Sequence, residues 1–228
     1  MPRISIADTR NVIEAIRDKY GYDFSMFSIT SLRFKLDGLM QSNMMKYPDL
    51  LVKQIDNDDR FFERLMYSIS ASSSAVFRDR EMWEEMYRIY LPYLFKMSET
   101  SAVWVADSSF GAELHSLLIL LDRFFPGADA KLSFSWLTEK YRDYILDRTL
   151  PEAVINSSLD NFGSLLGSKD IKSFYQKTNK SFVLHRQFWR DVADFRQQPD
   201  YYPVFGKFHL VLFRNRLLTF CPDYQNLV

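Results

Sequence analysis

The sequence predicts an α/β chain in two parts, helical over residues 1–98 and alternating between strand and helix over 99–228. Three observations predict it. Apolar residues before 98 recur at helical spacing, with no alternating strand pattern competing. Ser98-Glu99-Thr100-Ser101 is the most polar short connector and marks the boundary. Beyond it, short apolar runs alternate with helical patterns, which favours an open, largely parallel sheet.

In the first part, Val12 or Ile13, Ile16 and Tyr20 give a helix entered at Asp8 or Thr9 and left at Gly21. Leu32, Leu36, Leu39 and Met40 give a second, starting near Ser28 or Thr30. Phe62, Leu65, Met66 and Ile69 give another, behind Asp56-Asn57-Asp58-Asp59, which suits a helix N-terminus by capping and dipole. Trp83, Met86, Tyr87 and Tyr90 repeat the spacing up to Pro92. In the second part, strands are expected at 102–106, 132–137, 182–184, 188–189 and 209–213. Helices are expected at 111–125, stopped by Pro126-Gly127, and at 138–147. Residues 150–180, broken by Ser157-Ser158, Gly163 and Gly167-Ser168, read as loops with a short helix at 171–175. Residues 197–202 read as a loop.

Composition limits the function. With 228 residues, 47% of them hydrophobic, the chain can bury a large core. Lys+Arg and Asp+Glu are both 29, which removes the bulk electrostatic argument for a nucleic-acid partner. The single cysteine, Cys221, excludes an internal disulfide and fits a reducing, cytoplasmic compartment. The N-terminus lacks the apolar core of a signal peptide, and Leu117–Leu121 is far too short an apolar run for membrane insertion. Three histidines and one cysteine, without ligand spacing, offer no zinc site. Seven glycines are too few for several glycine-rich phosphate loops.

The most informative stretch runs from Val103 to Leu120. An apolar run stops at Asp107-Ser108-Ser109, Gly111 follows, and Leu114, Leu117, Leu118 and Leu121 line one helix face. Strand, tight turn and helix N-terminus is the unit with which α/β proteins hold nucleotide-like ligands. It is equally a plain packing unit.

Four stretches, in order, resemble the chemotaxis receptor methyltransferase family (CheR), which transfers methyl from S-adenosylmethionine to receptor glutamates. Tyr20-Gly21-Tyr22-Asp23-Phe24-Ser25, with Ser31-Leu32-Arg33-Phe34-Lys35-Leu36, is similar to the family's Gly-x-Asp-Phe-Ser opening and basic second helix. Ser72-Ser73-Ser74-Ala75-Val76-Phe77-Arg78-Asp79, then Trp83, resembles Asn-x-Thr-x-Phe-Phe-Arg-Asp and a tryptophan. Trp104, Ala106, Ser109, Gly111, Glu113 and Ser116 match Trp-x-Ala-Ala-Cys-Ser-Thr-Gly-Glu-Glu-Pro-Tyr-Ser without a gap. Phe208-His209-Leu210-Val211-Leu212-Phe213-Arg214-Asn215 is similar to Phe-Asp-x-Ile-x-Cys-Arg-Asn. Together they span nearly the whole chain.

The resemblance implies a small all-helical N-terminal domain, then a Rossmann-like methyltransferase domain with a small β-subdomain inserted at about 150–185. It also implies S-adenosylmethionine as cofactor, S-adenosylhomocysteine as product, and an acidic helical segment of a receptor or signalling protein as partner. Such a transfer is an in-line displacement at a sulfonium methyl. The glutamate is ionised at neutral pH and needs no general base, so the protein must align two partners and manage charge. Arg78 matches the family arginine near the transferred methyl and would steer the substrate carboxylate by charge-assisted hydrogen bonds; the alternative is a surface arginine beside Asp79. Gly111 would let backbone approach the cofactor. Glu113 would pair with its ammonium group, or else only offset the helix dipole, worth roughly 0.3–1 kcal/mol. Ser72 and Ser74 stand where the family's cofactor-contacting Asn and Thr do, or are cap residues. Arg214 and Asn215 follow a strand at its ligand-binding end, or cap it.

The departures are specific. Ala112 and Ser108 replace the motif's first glutamate and its cysteine. Trp136 stands where the family has an acidic residue for the ribose hydroxyls; it can stack on adenine but accepts no hydrogen bond. The basic second helix is thinned to Arg33 and Lys35, and the chain stops before the family's last strand pair, so either the sequence is cut short or the sheet is shorter. Three readings follow: a protein-glutamate methyltransferase, a catalytically lapsed member acting as a binding or signalling module, or an unrelated α/β domain with helices in front.

Overall fold

A computed structural model of the chain describes residues 4–70, 75–106, 110–136, 139–190, 192–197, 207–214 and 219–226. They form two compact units: Met1–Ser72 with Gln198–Val204 and Arg214–Val228, and Ser73–Gln197 with Phe205–Phe213. The units part at Ser72/Ser73, upstream of the connector at 98–101.

The first unit is helical. Helix α1 (Ile6–Tyr20) begins at a capping box: the Ser5 hydroxyl accepts the Asp8 amide at 3.1 Å, and the Asp8 carboxylate accepts the Ser5 amide at 3.2 Å. Asp8 is therefore inside the first turn, and the helix starts earlier than its apolar spacing indicates. Gly21, left-handed at φ 74°, closes it. Helix α2 (Ile29–Ser42) is capped by Ser28 and buries Leu32, Leu36, Leu39 and Met40, the expected face. Helix α3 (Pro48–Asn57) was not anticipated: it buries only Leu51 and Ile55, too short a pattern to read, and Pro48 presets its first turn. Helix α4 (Asp59–Ser70) buries Phe62, Leu65, Met66 and Ile69. The C-terminal segment joins this unit: Ser28 donates to the Thr219 carbonyl, Cys221 to that of Met26, and the Phe27 and Phe220 rings meet edge-on at 5.0 Å.

The second unit opens with α5 (Arg80–Glu85), a π-turn over Met86–Tyr90, and α6 (Leu91–Met97). Pro92 does not end this run as expected. The Leu91 amide reaches back to the Met86 carbonyl, and the widened turn precedes a proline that has no N–H to give. Strand β1 (Thr100–Val105), helix α7 (Ala112–Phe124), strand β2 (Asp129–Trp136) and helix α8 (Glu139–Leu146) follow. Leu114 to Leu121 are all buried, so α7 is enclosed on every side up to its last turn, where Arg123 and Phe124 are exposed.

Residues 150–180, read as loops with one short helix, hold more regular structure than that, while the strand expected at 182–184 is present and a small β-sheet lies where the resemblance implies one. The segment holds β3 (Thr149–Pro151), α9 (Glu152–Asn156), α10 (Leu159–Leu166), β4 (Tyr175–Lys177) and β5 (Ser181–Leu184), with the strands forming an antiparallel sheet ordered β3-β5-β4. Ser157-Ser158 separates two short helices, and Gly167 at φ 74° ends the second. Residues 186–188 form a 3₁₀ turn where a strand was expected. Strand β6 (Val192–Gln197) occupies sequence that reads partly as loop, with little apolar alternation to mark it. Strand β7 (Leu210–Leu212) joins a sheet ordered β6-β2-β1-β7, parallel throughout among the described residues. No helix among the described residues is long and apolar enough to cross a membrane.

Candidate functional site

The chemistry-bearing residues of the second unit gather on the turn before α5, the start of α7 and the end of β2. In the turn, Val76 and Phe77 are fully buried. The Phe77 ring meets Trp83 and Phe162 edge-on at 6.0 and 5.2 Å. Phe77 and Asp79 both sit at φ 56°, on either side of Arg78. For residues with a Cβ each such conformation costs roughly 1–2 kcal/mol and persists only where the surroundings over-determine it; strain of this kind concentrates at functional sites. Here the Phe77 amide donates to Ser116 Oγ and the Val76 amide to Ser158 Oγ, both at 2.8 Å, while Asn161 Nδ2 donates to the Val76 carbonyl at 3.0 Å. Arg78 is held with its side chain 31% exposed, its Nε 3.8 Å from an Asp79 carboxylate oxygen.

Gly111 caps α7 at φ 83°. A Cβ there would lie 3.1 Å from Ile145 Cγ1 on α8, so glycine serves both the left-handed cap and close helix packing. Just before it, Phe110 is clasped edge-on by Tyr141 and Tyr144 at 5.1 and 5.6 Å. Gly111→Ala is expected to destabilise the chain by about 1–2 kcal/mol, lowering its thermal midpoint by roughly 2–8 °C; an unchanged melting curve would refute this account of the cap. Glu113, half-buried, lies in the first turn of α7, where its charge complements the helix dipole.

At the end of β2, Trp136 is 8% exposed. Its ring lies 5.9 Å from Phe134, and the Arg142 guanidinium 5.6 Å from its centroid; Arg142 also pairs with Glu139 at 3.8 Å. The indole N–H is buried without a hydrogen-bond partner among the described residues. An orphaned donor at the C-terminal edge of a parallel sheet fits a ligand acceptor such as a ribose hydroxyl or a purine ring nitrogen. Such a donor would suit an acceptor on a nucleoside, the reverse of a carboxylate's polarity.

Arg214, half-buried, belongs to the helical unit. Ser72, Ser74 and Asn215 lie outside the described residues, as do Asp107–Ser109. The cations of α2 are engaged within their own unit: Arg33 Nε donates to the Ile4 carbonyl at 2.6 Å and the Lys35 ammonium to that of Ile69. Phe34, between them in sequence, is 79% exposed.

Sequence reasoning gave no role to Ser116, Ser158, Asn161 or His115. A serine amid the leucines of the helix from 112 to 124 was the available signal for Ser116, since a buried hydroxyl needs partners. His115 is fully buried, its Nδ1 3.2 Å from the Tyr175 hydroxyl, and burial, aided by the Arg148 charge, lowers its pKa to about 3. Among the described residues no cluster of His, Cys, Asp and Glu could hold a metal ion.

No family model matches the chain. It is similar to a Pseudomonas putida protein named "Putative methyltransferase Cher3", at 26% identity over 226 residues, covering 96% of this chain and 80% of that protein.

Proposed function

We propose that this chain, a divergent CheR-type family member, transfers methyl from S-adenosylmethionine to glutamate side chains of a receptor or signalling protein. The observation that carries the reading is the Arg78 turn. A strained backbone, hydrogen-bonded at Val76 and Phe77 to Ser158, Asn161 and Ser116, presents a part-exposed guanidinium next to the helix that Gly111 opens.

When bound, the cofactor supplies a methyl group activated on a sulfonium. Glu113 would hold its ammonium group and the Trp136 indole N–H an acceptor on its nucleoside. Arg78 would orient the incoming glutamate carboxylate by charge-assisted hydrogen bonds and keep it ionised. With a nucleophile that needs no proton removed, positioning is the main task left to these residues. The partner in this reading is an acidic helical segment. Both α2 cations donate to backbone carbonyls, and in this reading Arg78 is the cation that would meet the carboxylate.

One observation favours the lapsed reading: a buried tryptophan with a cation over its ring ends β2, where the resemblance places a carboxylate. Calorimetric titration of the intact chain with S-adenosylmethionine and S-adenosylhomocysteine separates the two. Saturable heat at micromolar ligand, with label transferred from methyl-tritiated cofactor to a glutamate-rich helical peptide, is the expected result. No heat at millimolar ligand would sink the enzyme, and binding without transfer would leave a lapsed module.

A further inference from the structure

We infer that Ser116 and Ser158 are positioning residues for Arg78, a role that rests on the reading of Arg78 given above. The two amides preceding Arg78 are both buried, and each ends on a fully buried serine hydroxyl at 2.8 Å. Neither hydroxyl is a free rotor. Ser116 Oγ donates to the Ala112 carbonyl at 2.7 Å, and Ser158 Oγ to that of Val154 at 2.6 Å. Ser116 thus anchors its proton within α7, and Ser158, between α9 and α10, anchors its own on α9; both turn their lone pairs to the Arg78 turn.

A serine bonded back to the i−4 carbonyl gains its helix nothing, and alanine is the better helix former. At Ser116, in the apolar interior of α7, the hydroxyl is explained by what it does for Phe77. Asn161 supplies a third fixed point through the Val76 carbonyl. Phe77 and Val76 are therefore held from α7 on one hand and from the α9–α10 segment on the other. Residues 152–166 do more than fill space between strands: they set the direction in which Arg78 leaves the turn.

The test is a double-mutant cycle with an exchange measurement beside it. Ser116→Ala and Ser158→Ala are each expected to lower kcat for tritium transfer to a glutamate-rich helical peptide about 10- to 100-fold. KM for S-adenosylmethionine should stay within about twofold, because the turn aligns groups and does not bind the cofactor. Ser101→Ala is the control, since Ser101 is fully buried and its hydroxyl has no hydrogen-bond partner among the described residues; it should leave kcat unchanged. In an Arg78→Ala background, Ser116→Ala should add less than about twofold, because both changes remove one interaction. Independently of turnover, amide exchange at Phe77 in Ser116→Ala, and at Val76 in Ser158→Ala, should accelerate at least tenfold. Unchanged exchange, or serine losses that multiply with the Arg78 loss, would overturn the role. Arg78→Ala at full rate would instead overturn the reading of Arg78 itself, a distinct result.

Discussion

Arg78→Ala is expected to lower the rate of methyl transfer about 100-fold while leaving calorimetric affinity for S-adenosylhomocysteine within about twofold. A charge-assisted hydrogen bond contributes roughly 1.5–3 kcal/mol, and misplacing a reacting group by an ångström costs a similar factor. The side chain is neither buried nor free: it is 31% exposed, with its Nε 3.8 Å from an Asp79 oxygen. Arg78→Lys should recover only part of the loss, because an ammonium cannot reproduce the planar, two-pronged geometry with which guanidinium holds a carboxylate. Neither substitution should alter thermal stability by more than about 1 kcal/mol, since the turn is held by backbone and by Phe77. A wild-type rate in Arg78→Ala, or a loss confined to cofactor affinity, would remove Arg78 from the reaction. Single-turnover rates at saturating cofactor make the distinction.

The parts of this site differ in how plainly the sequence carried them. Periodicity located α2, α4 and α7 because each buries four or more residues at helical spacing, and it located β1, β2 and β7 because each carries a short apolar run, although β7 is paired on one side only among the described residues. It missed α3 and α9, which bury only two residues each, and α10, whose one fully enclosed side chain is Phe162. It also missed β6, which among the described residues is paired on one side only, with a register shift where its partner β2 passes from Phe134 to Ser135. Arg78 and Gly111 were legible through the motifs around them. Their supports were not. The link from Phe77 to Ser116 spans 39 residues and that from Val76 to Ser158 spans 82, and no local pattern encodes such a bond. The helix start at Ser5 shows the same limit at short range: apolar spacing marks the buried face, whereas the boundary is set by polar caps outside it.

Acidification from pH 6.5 to 4 is expected to destabilise the chain by roughly 3 kcal/mol through His115 alone. The ring is fully buried on α7, next to Ser116, with Nδ1 3.2 Å from the Tyr175 hydroxyl on β4. Nε2 is buried with no hydrogen-bond partner among the described residues. Burial chiefly, and the nearby Arg148 charge, lower its pKa to about 3, while burial raises that of Tyr175, which stays a neutral phenol throughout. Below pH 6.5 the unfolded chain binds a proton that the folded chain refuses until about pH 3. Across that window the unfolded state is the more protonated, so stability falls as pH falls, by about 1.4 kcal/mol per unit at most, and is flat above it. Denaturant titrations at pH 7.5, 5.5 and 4.5 should show this slope in the native chain. His115→Gln, which cannot protonate, should be less stable at pH 7.5 yet lose less on acidification, even though carboxylates contribute equally to both. Equal slopes in the two chains would show that His115 is protonated as readily folded as unfolded. The expected slope would tie the β4 strand to α7 through a neutral imidazole. Acid would then loosen the helix that carries both Gly111 and the serine holding the Arg78 turn, so activity should fall with stability in the same window and recover on return to neutral pH.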